Sequence, residues 1–160
     1  MTSLGVFRDD YYNAAAVLTE TQYTVTAQAS GTLSAAAIAG ARSCVVLSSG
    51  ATALTTDSAV NIIAQVQNAV ATAYKAGLGS FAAGVNPPIG APNLFNVTWT
   101  LTIVNTNAGA LTLSGANGTT VTNGAIPATS MRQFLVTITS PTSVTVAGMY
   151  SAGAAGVYTA

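Results

Sequence analysis

From residue 95 to 103, apolar and polar residues alternate without a break. Phe95, Val97, Trp99, Leu101 and Ile103 fall on one side, and Asn96, Thr98, Thr100 and Thr102 on the other. A period of two is the mark of a strand with one buried face, and no helix satisfies it. Such a strand needs a sheet around it, and the second half of the chain supplies candidates. Residues 110–113, 119–122, 133–139 and 143–150 read as further strands. In 133–139, Phe134, Val136 and Ile138 oppose Gln133, Leu135, Thr137 and Thr139. Turn signals separate these runs: residues 105–109, the group Gly115, Asn117 and Gly118, and Ser140-Pro141. Asn123-Gly124 has the composition of a two-residue hairpin turn.

The first half is less uniform. Residues 22–30 alternate, with Tyr23, Val25 and Ala27 against Thr24, Thr26 and Gln28, and predict a half-buried strand. Residues 32–38 read as a continuation of the sheet. The apolar run Cys44, Val45, Val46 and Leu47 reads as a buried strand. Between 56 and 75 the period changes. Val60, Ile63, Val66, Val70 and Tyr74 recur at helical spacing, which predicts one helix over about 57–75. Thr56 or Asp57 suits its start, Lys75 its last turn, and Gly77 its end. Residues 77–93 hold four glycines (Gly77, Gly79, Gly84, Gly90) and Pro87, Pro88 and Pro92, and read as a long loop. The Gly/Ala-rich residues 151–160 read as either a flexible tail or an arm that orders on a partner. Strands at roughly 8–12-residue spacing with turns between them predict an all-β, jelly-roll-like antiparallel β-sandwich carrying one helix. Residues 1–20 form an N-terminal arm, 21–150 the domain and 151–160 the tail.

Charge decides what such a domain can do. The chain of 160 residues carries four Lys+Arg, four Asp+Glu and no His, with zero formal net charge. Charged residues make up 5% of it, against about 25% in ordinary domains. Nucleic-acid binding and polybasic membrane attachment both need clustered cations, so neither is expected. Without His there is no Ser-His-Asp triad or Cys-His pair, and one Cys leaves no tetrahedral zinc site. We therefore expect no enzyme, no cofactor and no metal. An uncharged surface favours association, so much of it is expected to be covered. No secretory signal pattern and no run of about 20 apolar residues is visible, which points to synthesis in a cytoplasm.

Four of the eight charges, Arg8, Asp9, Asp10 and Glu20, lie before residue 21. Asp9-Asp10 is the only carboxylate pair. Adjacent strand residues point apart, which suits a solvated arm better than shared acid–base work. Tyr11 and Tyr12 beside Arg8, Asp9 and Asp10 are the best interface candidates, because Tyr and Arg combine area with directional bonding. A packed terminal segment is the competing reading. Arg132 reads as an exposed cation opening a strand, or as a partner for a carboxylate of a neighbouring subunit. Gly77-Leu78-Gly79-Ser80-Phe81-Ala82 matches a loose dinucleotide fingerprint but follows a helix instead of a strand. Two Asn-X-Thr sequons, at Asn96 and Asn117, are expected by chance in a Thr-rich chain. Cys44 reads as a small buried hydrophobe. Trp99 reads as core, with sugar stacking as the sharper alternative.

The strand 97–104, the turn Asn105-Thr106-Asn107-Ala108-Gly109 and Leu111-Thr112-Leu113 resemble a β-module of tailed-bacteriophage capsid decoration (cement) proteins. The likeness continues through Ile126-Pro127-Ala128-Thr129-Ser130, residues 132–139 and Val144-Thr145-Val146. A helix beginning much like residues 55–62 precedes these strands in the related modules. The resemblance implies a structural virion protein, made in the host cytoplasm and sited on the outer capsid surface. It further implies a homotrimer bridging major capsid protein subunits, without chemistry. Arg8, Asp9, Asp10, Tyr11, Tyr12 and Arg132 are then the expected contact residues. A tail-fibre or spike module binding host glycans is the alternative.

Overall fold

The computed structural model describes residues 24–28, 31–50, 52–78, 94, 96–153 and 158–159. The expected N-terminal arm and most of the Pro-rich loop therefore lie outside the described residues. The elements are, in order, β1 (Thr24–Ala27), β2 (Gly31–Thr32), α1 (Ala35–Ala39), β3 (Ser43–Ser48), β4 (Ala53–Thr55) and α2 (Ala59–Leu78). There follow β5 (Thr98–Asn105), β6 (Leu111–Ser114), β7 (Thr119–Thr122), β8 (Ala125–Ile126), β9 (Ser130–Ser140), β10 (Ser143–Gly153) and β11 (Tyr158–Thr159).

The chain is mainly β, in two sheets. The large sheet has seven strands in the order β1-β3-β5-β9-β10-β11, with β7 also on β10; the small sheet runs β2-β4-β6-β8. From β1 to β9, successive strands alternate between the two sheets. The pairs β1–β3, β3–β5, β2–β4, β4–β6 and β7–β10 are parallel. The pairs β5–β9, β9–β10, β6–β8 and β10–β11 are antiparallel. This mixed pairing corrects the expected antiparallel sandwich. Neighbouring parallel strands need a crossover between them. Here the crossover passes through the other sheet, with α1 between β2 and β3 and α2 between β4 and β5.

One core joins both sheets and both helices. Val46, Trp99, Leu101, Ile103, Phe134, Val136, Ile138, Val144 and Val146 come from the large sheet, and Leu54, Leu111, Leu113 and Ile126 from the small one. Ala37, Ile38, Ala59, Ile62, Ile63 and Val66 come from the helices. In β5 the alternation behaves as expected: Val97, Trp99, Leu101 and Ile103 are buried and the threonines are not.

Several expectations are corrected. Residues 35–39 are helical, not strand. Ser34 caps them, its Oγ accepting the Ala37 N–H at 3.2 Å, and alanine favours the helix. β3 is half-buried instead of buried throughout, because Cys44, Val46 and Ser48 point inward while Leu47 is exposed. In the first half of α2, through Asn68, the buried residues are Ala59, Ile62, Ile63 and Val66, and Val60 stands 58% exposed. Its cap is Ser58, whose Oγ accepts the Asn61 N–H at 3.4 Å, and the helix runs past Gly77 to Leu78. Residues 151–153 are not tail; they complete β10, and β11 pairs with them at Ser151 and Ala152.

Asn123-Gly124 does not close a hairpin. β7 and β8 belong to different sheets, and this dipeptide carries the chain between them. Asn123 has φ 53, but a two-residue type I′ turn needs positive φ at both positions, and only Asn123 has it. Glycine serves another purpose at 124. Its carbonyl accepts the Leu113 N–H at 2.8 Å, and a Cβ there would collide with the Leu113 carbonyl oxygen.

Candidate interaction surface

The large sheet presents two unlike faces. The inner face holds the core. The outer face is built by strand register into rows that run across the strands. One row is Thr98, Thr137, Thr145 and Thr120, on β5, β9, β10 and β7. The row at the other end is Ala27, Leu47, Val104 and Met131, on β1, β3, β5 and β9. It continues through the backbone positions of Ala152 and Tyr158. Between them lie Val45, Thr102 and Gln133 in one row, and Ser43, Thr100, Leu135, Ala147 and Thr122 in another. None of these residues is Asp, Glu, Lys, Arg or His. Leu47 is 39% exposed and Met131 43% exposed, two of the four exposed large hydrophobic residues among those described. The face thus grades from a threonine row to an apolar row. β5 supplies Thr98, Thr100, Thr102 and Val104 to this face, and β9 supplies Thr137, Leu135, Gln133 and Met131 opposite them.

Of the expected contact residues, Arg8, Asp9, Asp10, Tyr11 and Tyr12 lie outside the described residues. Arg132 is half-buried and engaged within its own chain. Its guanidinium Nη1 donates to the Asn123 carbonyl at 2.7 Å, while its buried Nε has no hydrogen-bond partner. It therefore fastens the β7–β8 connection to β9.

Trp99 is 2% exposed and its Nε1–H donates to the Ile38 carbonyl, an otherwise orphaned group near the end of α1. It offers no platform for a sugar ring. Trp99 and Phe134 are the two aromatic side chains described, and both are buried. Cys44 is fully buried, and its thiol donates to the Ala41 carbonyl at 3.4 Å. Among the described residues no group of three His, Cys, Asp or Glu comes together. No described helix is long and apolar enough to cross a membrane.

Sequence reasoning missed the polar joint around Asp57. Its Oδ2 accepts the Ala35 N–H at 3.1 Å, at the start of α1. Its Oδ1 accepts the Ser58 N–H at 2.8 Å and an Asn61 side-chain N–H at 2.7 Å, at the start of α2. Two helix N-termini thus share one carboxylate, where their dipoles favour negative charge. Partial burial pushes this carboxyl up. The hydrogen bonds from Asn61, Ser58 and Ala35 outweigh burial and hold it below the ordinary aspartate value. Around the joint, buried Thr56 accepts the Ala116 N–H at 3.0 Å, and the Thr119 hydroxyl donates to the Asp57 carbonyl at 3.2 Å. Gly118, at φ +75, lies against this joint. A Cβ there would sit 2.5 Å from the Thr142 carbonyl oxygen and 2.9 Å from the Ala59 Cβ. The acidic residue before Ser58 was a visible signal, but its reach to α1 depends on residues 22 positions apart.

A second polar group closes one end of the core. The Asn105 amide donates to the carbonyls of Gly109 at 2.8 Å and Pro127 at 2.9 Å, and its Oδ1 accepts the Asn107 N–H at 3.1 Å. The Ser130 hydroxyl donates to the same Pro127 carbonyl at 2.7 Å. These bonds organise turns; they assemble no nucleophile with a base. A scan against protein-family models finds no match, and neither the curated proteins nor the solved structures yield one.

Proposed function

We propose that the chain is a structural virion protein that decorates a phage capsid as a homotrimer. In this reading it stabilises the shell by bridging neighbouring major capsid protein subunits. The observation that carries the reading is the uncharged, graded outer face of the large sheet. Such a face binds by area and hydroxyl pairing, which suits a permanent protein assembly and needs no chemistry. The resemblance of the strand 97–104 and its neighbours to decoration-protein modules adds to it. A clip stabilises a lattice because its binding free energy is added to the assembled state alone.

The two sheets closing on one core serve as the sandwich-like body of the clip. Arg8, Asp9, Asp10, Tyr11 and Tyr12 are its specific contact with the shell, concentrating charge and tyrosine in a chain poor in both. Glycan binding by a fibre or spike module loses its favoured residue, since Trp99 is inside the core. Deleting residues 1–20 tests the arm. Capsids are expected to lose the truncated protein, and unchanged occupancy would rule the arm out.

A further inference from the structure

Building on that reading, we infer that the outer face of the large sheet is the surface through which three copies of this chain associate, lining their common threefold axis. Rotational symmetry requires each residue near the axis to meet copies of itself. A lysine or glutamate there would repel its own copies. The rows from Thr98–Thr137–Thr145–Thr120 to Leu47–Val104–Met131 contain no such residue. With strands along the axis, each row meets the same row of the other copies at one height. Leu47, Val104 and Met131 then form an apolar layer. The threonine row forms a hydroxyl layer that can satisfy itself, because each hydroxyl both donates and accepts.

The size approaches that of a standard interface. The 46 residues of the seven strands, at about 4.8 Å spacing and about 3.3 Å rise, span a footprint of roughly 700 Å² per copy. Standard interfaces bury about 800 Å² per partner. No described element packs on this face: both helices contribute their buried residues to the core on the other side of the large sheet. A partner rich in charge would have to leave its charges unpaired against this surface. A second and third copy would not.

The test uses the full chain and compares Met131→Lys with Val60→Lys. Both replace an exposed apolar side chain, 43% and 58% exposed, but Val60 lies on α2, away from the face. Sedimentation equilibrium is expected to give three chains for the wild type and for Val60→Lys, and one chain for Met131→Lys. Circular dichroism checks that each variant is folded. Should Met131→Lys unfold, Met131→Cys replaces it. Its thiol is expected to react with a maleimide far more slowly in the trimer than after dilution to single chains. A trimer that survives Met131→Lys overturns the inference about the face and leaves the trimeric reading intact. A wild-type chain that stays single at micromolar concentration overturns the inference itself. The virion reading is then judged separately, by whether particles carry the protein.

Discussion

The two faces of the large sheet are made by the same strands and differ in nearly every physical respect. The inner apolar residues of β5 and β9 are Trp99, Leu101, Ile103, Phe134, Val136 and Ile138, all buried. Their outer neighbours are Thr98, Thr100, Thr102, Val104, Gln133, Leu135 and Thr137, with Met131 exposed at the end. The inner face is set by the need to fill one core shared with two helices and a second sheet. Among the described residues no element packs on the outer face, and it carries neither the lysines nor the glutamates that usually blunt exposed sheets. A face that no described element covers and that carries no charge is the contrast on which the proposed association rests.

The largest effect that tests this contrast is truncation on the inner face. Phe134→Ala is expected to cost about 3–5 kcal/mol in denaturant unfolding of the separated chain, while Leu135→Ala beside it costs much less. Equal losses would mean that the two faces are equally packed. Trp99→Phe keeps most of the volume but leaves the buried Ile38 carbonyl unpaired, which is expected to cost about 1–3 kcal/mol by the same measurement.

Asp57 gives a pH-dependent effect that belongs to the inner architecture. Its carboxyl is depressed in the folded chain, so its contribution is fully present above the ordinary aspartate value of about 3.9. That contribution is lost as pH falls through the lower folded value, when the proton weakens acceptance from Ala35, Ser58 and Asn61. Thermal unfolding followed from about pH 5 down to about pH 2 is expected to show this loss, and Asp57→Asn to flatten it. The smallest effect belongs to the outer face. Thr100→Val is expected to change the stability of a single chain by no more than about 0.5 kcal/mol.

The strands were legible in the sequence wherever one face is core and the other is not, as in β5 and β9. The period of two reports burial directly, whatever the strand's partner. The pairing itself was hidden. Parallel registers such as Leu47 with Val104 join residues far apart, and nothing local in either segment encodes the match. Asn123-Gly124 misled for a related reason. Its local chemistry is that of a hairpin, but the chain leaves it for the other sheet, and no short-range signal carries that destination. Helix α1 was short, and its alternating-looking start hid the Ser34 cap followed by three alanines. Val60 fitted the helical spacing as well as Ile62 did, and only packing against the sheets chose between them. The outer face was half legible: the threonines of β5 were plain, whereas their alignment with Thr137, Thr145 and Thr120 needed the register.

The most direct test of the account is to locate the protein on purified phage particles that carry its gene, by immunogold electron microscopy. Gold spread regularly over the outer surface of the head is the predicted result. Labelling confined to the tail, or particles that lack the protein, would contradict it.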